Sequence, residues 1–232
     1  MVKVYFDPVG RRTPPLFYAP LTEAELERVC RQMAGHRFDP SVVLGGAAPC
    51  PLGGLRVLVC APLSTTGGDL RPFPTTFWLT CPHLSRRAGA AESAGGVSAL
   101  EAWLTERAPE AWLRYSRLHA LLRLGLLGGR GLKALRASCP PMLEALARGG
   151  VGGVRGGGSV RVKCLHLQAA SWLALGHHPG EEWLREQGLD APCDGRTECA
   201  LRVLATQAGG AAPCAKYGIP PPRLDSFRKT GV

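Results

Sequence analysis

Residues 55–60 (Leu-Arg-Val-Leu-Val-Cys) and 76–80 are two short runs of β-forming residues either side of Ser64–Asp69, whose Gly67-Gly68 pair is a turn signal. Runs so close together, with glycines between them, fold most simply as an antiparallel hairpin on which the rest of the chain must pack. With the turn centred on Gly67-Gly68, Cys81 falls opposite roughly Gly54. Cys50 sits a few residues further along at the same end. The hairpin alone is therefore expected to bring Cys50 and Cys81 together. Cys81-Pro82 ends the second strand and opens a helix, because proline is favoured at the first helical position. That makes Cys81 the N-cap. A thiolate there gains from the helix dipole and the free amides, which predicts a lowered pKa. The plainer role for Cys81 is a buried cap.

Helical patterns fill most of the remaining chain. Thr22-x-x-Glu25 is a capping box, with Leu26, Val29, Cys30 and Met33 on one face of the helix that follows. Cys30 is thereby expected in the core, as are Cys60 and Cys139. The helix opened by Pro82 stops near Gly95-Gly96. Ser98-x-x-Glu101 predicts a second capping box, with Leu100, Trp103 and Leu104 facing inward. Pro109 opens a helix carrying Trp112, Leu113, Leu118, Leu121 and Leu122, and short helices follow near Leu132–Ser138 and Pro141–Arg148. One hairpin and many helices predict an α+β chain, mainly helical, with the hairpin packed on several short helices. Residues 1–39 read as an N-terminal extension of one strand (Val2, Val4, Phe6) plus the capped helix. Residues 40–188 read as a core domain and 189–232 as a tail.

The segment Gly149–Gly158 is a glycine-rich loop without the spacing of a nucleotide-binding motif; it is expected to act as a lid or as a close backbone approach to a site. Residues 159–176 then read as a helix closed by Gly176. Cys164 lies in its first turn or two, beside Lys163. On a regular helix His166 points about 200° away from Cys164, so the two bind one metal only if the helix starts late. A lone histidine here serves as a ligand, a ligand's partner or a core residue. His177 and His178 are expected as exposed residues after the helix end. Cys193-x5-Cys199 and Cys214 match no zinc-ribbon spacing, though a small auxiliary site is open to them.

Charge is unevenly placed. Residues 112–163 carry ten basic side chains against one acid, Glu144, while the flanking regions are close to neutral. Such a segment suits phosphates, another anionic ligand or RNA; a compositional bias towards arginine explains it equally. No apolar run approaches the ~20 residues of a membrane helix, and the N-terminus has no signal pattern. A cytoplasmic location is the expectation. Nine cysteines, an odd number, argue for thiol or metal chemistry over a disulfide framework. The sequence shows no nucleophilic triad, Walker loop or HExxH.

Four blocks carry a resemblance: Pro49-Cys50-Pro51-Leu52-Gly53, Pro72–Leu84 with its PFPT and LTCP stretches, Gly152-Gly-Val, and Val162-Lys-Cys164-Leu-His166. Over roughly residues 40–185 the chain resembles the bacterial domain-of-unknown-function family 501. The resemblance implies a bacterial cytosolic protein and a shared set of Cys50, Cys81, Cys164 and His166, but no activity. Ala48 and Gln168 stand where members of the family often have cysteine and histidine.

These readings converge on one expectation: Cys50, Cys81 and Cys164, with His166, form one metal or iron–sulfur site. Three thiolates suit a [4Fe–4S] cluster with an open iron, and zinc is the alternative. Three functions follow. The first is a cluster-bearing protein acting on an anionic or sulfur-containing substrate. The second is an RNA- or phosphate-binding module with a structural zinc. The third is an interaction scaffold whose cysteines are merely buried.

Overall fold

The fold, a computed structural model, is described for residues 18–33, 39–64, 70–155 and 158–193. The strand expected at Val2–Phe6, the Gly67-Gly68 turn, Cys199 and Cys214 lie outside the described residues. Within them the chain is α+β and mainly helical: seven α-helices and a small antiparallel sheet.

The helices are α1 (Glu23–Gln32), α2 (Pro82–Ser93), α3 (Gly96–Arg107), α4 (Pro109–Ser138), α5 (Pro140–Arg148), α6 (Leu165–Leu175) and α7 (Glu181–Glu186). The sheet has the order β1 (Val43–Pro49), β2 (Leu55–Cys60), β5 (Phe77–Leu79). The hairpin expected from the sequence is β2–β5, with Val57 opposite Leu79 and Val59 opposite Phe77. Its loop carries a second small ladder, β3 (Leu63–Ser64) on β4 (Arg71–Pro72). Strand β1 went unread because Gly45, Gly46 and Ala47 have little β preference. Its glycines answer to space instead: a Cβ at Gly45 would stand 2.3 Å from the Ala19 carbonyl oxygen.

Side chains alternate across the sheet with period two. Leu58, Cys60 and Trp78 face α1, meeting Val29 and Met33. Val57, Val59, Phe77 and Leu79 face the larger core built by α2, α3, α4, α6 and α7. Each fully buried large apolar side chain contributes about 1.5–3 kcal/mol by leaving water. Helix α1 begins as predicted, with Thr22 and Glu25 capping each other. It is locked to the sheet by Gln32, whose amide donates to the Leu55 carbonyl (2.8 Å) and accepts from the Leu55 N–H (3.2 Å). Cys30 is buried, as expected.

Several details differ from expectation. Helix α3 starts at Gly96 after Gly95 in the left-handed region (φ 84°), so Ser98 caps nothing. Helix α4 breaks at Gly128 (φ 66°, ψ 171°), which separates the 132–138 segment. Its buried stripe is Trp112, Tyr115, His119 and Arg123, while Leu121 is 65% exposed. Cys139 caps α5 and is only half-buried.

Arg123 is wholly buried. Its guanidinium donates to the carbonyls of Leu146 and Gly149, acceptors left over at the end of α5, and to that of Gly150, which also accepts the Gly153 N–H. Those glycines lead into a 3₁₀ turn, Val151–Gly153, whose Val151 and Gly152 are buried. Gly152 has φ +63°, and a Cβ there would lie 2.5 Å from Leu167 Cδ1. Gly152→Ala is therefore expected to cost about 2 kcal/mol in backbone strain plus the clash, and to lower Tm by about 4–8 °C. Gly129→Ala, where a Cβ meets nothing within 4 Å, is the control and should not lower Tm.

Candidate functional site

The start of α6 is set by two glutamates from far away in sequence. Glu101 Oε2 accepts the Val162 N–H (2.9 Å) and Oε1 pairs with Arg161 (3.1 Å), which holds the lead-in extended. Glu92 Oε1, from the last turn of α2, accepts the N–H groups of Leu165 (2.6 Å) and His166 (3.3 Å). With those amides engaged, the helix begins at Leu165 and Cys164 stays extended (φ −163°, ψ 156°) as its N-cap. This is the late start that Cys164 and His166 need to face one point. His166 Nδ1 lies 2.9 Å from the same Glu92 oxygen. One ligand atom each from Glu92, Cys164 and His166 lies within 4.8 Å of the others. All three residues are half-buried. Burial pushes the Cys164 thiol up, the Glu92 charge adds to that, and the Leu167 and His166 amides with Lys163 oppose it.

Cys50 and Cys81 leave the sheet at its other landmark. β1 and β5 flank β2, with Pro49 opposite Leu55 and Thr80 donating to the Arg56 carbonyl (2.9 Å). Cys50 and Cys81 follow those positions directly, within one residue of the register read from the sequence. Cys81 caps α2 as predicted, and the amides of Leu84 and His83 lower its pKa. Neither closes a side-chain cap hydrogen bond. The expectation of a low pKa is corrected: burial is the largest influence and holds the thiol up. The charges of Cys50 and Cys193 raise it further.

The sequence-predicted ligands thus fall into two groups. Cys81 stands at the start of α2, and Cys50 follows β1 at the same end of the sheet, with β2 between β1 and β5. Cys164 and His166 stand at the end of α2, with Glu92. Glu92 is eleven positions on from Cys81 along α2, roughly 16 Å at 1.5 Å per residue. Glu92 is the member that sequence reasoning missed. One signal pointed to it: a glutamate in the last turn of a helix opposes the dipole, so its carboxylate is better used elsewhere.

A cavity of about 590 Å³ opens beside Cys164 and His166. Its walls include Met33, Phe77, Trp78, Leu79 and Leu167, with Arg86 and Lys163 at its polar side. The glycine-rich loop approaches this region closely, since a Cβ on Gly152 would also meet Lys163 Cδ at 3.3 Å.

Other candidates sit elsewhere. His178 is buried, contrary to expectation, and its Nε2 meets Gln168 Oε1 at 3.0 Å; His177 is exposed. Gln168 therefore faces the core network rather than Cys164. Ala48 lies in β1 at φ 52°. The basic segment is thinned by burial of Arg123 and by pairing of Arg114, Arg148 and Arg161 with Glu110, Glu144 and Glu101. Among the described residues no helix is long and apolar enough to cross a membrane.

No curated protein and no solved structure matches the chain. Residues 47–186 match the family described as protein of unknown function DUF501. The match covers well over half of the chain and includes Cys50, Cys81, Cys164, His166 and Glu92, and the chain belongs to that family.

Proposed function

We propose that this is a metal–thiolate protein whose centre is Cys164, His166 and Glu92, with one coordination position open to the adjoining cavity. The observation that carries the reading is the mutual approach, within 4.8 Å, of one sulfur, one nitrogen and one oxygen donor. A metal bound at 2.0–2.3 Å brings its ligands about this close together. Of the two metals weighed from the sequence, zinc suits one sulfur, one nitrogen and one carboxylate oxygen better than an iron–sulfur cluster, which is held mainly by several thiolates. Three protein ligands beside a cavity are the pattern of a zinc that works on a substrate; closed structural sites use four. When bound, zinc polarises a carbonyl or phosphoryl oxygen or activates water. The chain's own part is to fix the donors. Glu92 orients His166 through Nδ1, and the α6 amides orient Glu92.

A second reading uses the same three residues without metal. The His166–Glu92 contact of 2.9 Å is a base held by an orienting carboxylate, with a helix N-cap thiol alongside. That is the arrangement of an activated cysteine nucleophile.

Metal analysis of protein purified without chelator separates these. About one zinc per chain is expected in wild type and in Cys81→Ser, with loss in Cys164→Ser and His166→Gln. Absence of zinc, together with rapid iodoacetamide labelling of Cys164 that slows in His166→Gln, supports the nucleophile instead. Iron with acid-labile sulfide, lost in Cys81→Ser, overturns both and restores the three-cysteine cluster.

A further inference from the structure

The cavity beside Cys164 combines two features that together select a ligand. Its apolar lining is made by Met33, Phe77, Trp78, Leu79 and Leu167. The charged side chains on its lining are basic, with the Glu92 carboxylate 2.9 Å from the lining His166. Arg86 and Lys163 line it, and no aspartate or glutamate does. Basic residues next to these in sequence have structural partners: Arg87 donates to the carbonyls of Gly188 (2.8 Å) and Gln187 (3.4 Å), and Arg161 pairs with Glu101. Arg86 and Lys163 make no ion pair or hydrogen bond among the described residues. Gln32, the amide on the lining, is consumed by the Leu55 backbone. The polar side of the cavity therefore offers cations and the Thr75 and Ser85 hydroxyls. A volume of about 590 Å³ is that of a small-molecule site.

We infer that this cavity takes a small amphipathic anion, with a carboxylate or phosphate head held between Arg86 and Lys163 and an apolar body laid against Trp78 and its neighbours. The inference deepens the reading above, on which it rests for placing the head group beside Cys164 and His166. A guanidinium fits a carboxylate or phosphate through two parallel hydrogen bonds, and the ammonium adds a second charge across the opening. An uncharged body of the same length gains only the apolar wall. A cationic head meets two like charges.

Calorimetric titration of the full chain with octanoate, octyl phosphate, octanol and octylammonium tests this, in zinc-loaded and in chelator-treated protein. Both anions should bind more tightly than octanol, with octylammonium the weakest. The double substitution Arg86→Gln/Lys163→Gln should weaken the anions by about tenfold or more, the loss of a charge-assisted contact, and leave octanol unchanged. Both side chains are exposed, so the variant should keep its melting temperature. Bound octanoate should also slow iodoacetamide labelling of Cys164, which places it in this cavity. Equal binding of octanoate and octylammonium, or a double variant that binds anions like wild type, overturns the inference. If the anion preference persists in chelator-treated protein that takes up no zinc, the metal reading fails and this one stands. If zinc binds with no anion preference, the reverse holds.

Discussion

Arg123→Met should destabilise the protein by about 3 kcal/mol or more, one of the largest losses available to a single substitution here. The guanidinium is wholly buried and faces carbonyls, not a carboxylate. It closes the last turn of α5 through Leu146 and continues onto Gly149 and Gly150; the Gly150 carbonyl also accepts the Gly153 N–H (3.0 Å), so two main-chain acceptors, Leu146 and Gly149, depend on this one side chain. A buried acceptor stripped of its donor costs about 1–3 kcal/mol. The dipole of α5 adds a favourable contribution to the cation at its C-terminal end. Opposing this, methionine returns the desolvation penalty of a buried charge, which burial already signals by drawing the Arg123 pKa down to about 10. Two stripped acceptors and the lost dipole contact outweigh that return. Urea unfolding should show a lower midpoint at unchanged slope. Arg123→Lys should recover only part of the loss, because an ammonium cannot span three carbonyls in a fixed fork. A methionine variant as stable as wild type would show that water replaces the guanidinium at little cost.

Acidification from pH 7 to 5 should remove on the order of 4 kcal/mol of folding stability through two histidines. His119 and His178 are both held down to about 3. Burial is the main cause for each; the Arg123 charge adds to it at His119, and the His177 charge at His178. Both rings pack on Tyr115, at 4.8 and 5.0 Å between centroids. His119 Nε2 also meets Ser171 Oγ at 2.8 Å, and His178 Nδ1 accepts the Gly180 N–H. The unfolded chain takes up protons at these imidazoles from about pH 6.5 downward, whereas the folded chain does not until about pH 3. The stabilisation is therefore complete above pH 6.5 and is lost as pH falls towards 3. Each ring contributes a slope of up to about 1.4 kcal/mol per pH unit. Urea melts at pH 7 and pH 5 measure it. His119→Gln and His178→Gln should each flatten the difference by about half. Equal stability at the two pH values in wild type would refute the argument.

What could be read from the sequence was local. The β2–β5 pairing came within one residue because two apolar runs and a glycine turn leave few registers. The Thr22–Glu25 box and the prolines at 82 and 109 marked helix starts correctly because capping depends on the next three residues. What failed depended on distant partners. The start of α6 is decided by Glu92 and Glu101, more than sixty positions upstream. Leu121 was expected inside by periodicity, yet His119 and Arg123 take the buried stripe because Ser171 and the α5 carbonyls satisfy them. Glu92 carries no motif. Cys50 and Cys81 were legible as residues at one end of the sheet, whereas the grouping of Cys164 with a carboxylate depends on where α2 ends.

The sheet also bears on how the chain avoids sticking to copies of itself. An unpaired strand edge is a template for another chain's backbone. The outer edge of β1 is closed at Gly46, which exchanges two hydrogen bonds with Ala19 (3.0 and 2.8 Å). The opposite edge is β5, only three residues long, and the approach to it runs through Pro72 and Pro74, which have no N–H to offer. Its outward side lies along the cavity, so a bound molecule there would cover what little edge is left. A three-stranded sheet with one edge bridged and the other cut short by prolines gives a passing strand almost nothing to extend.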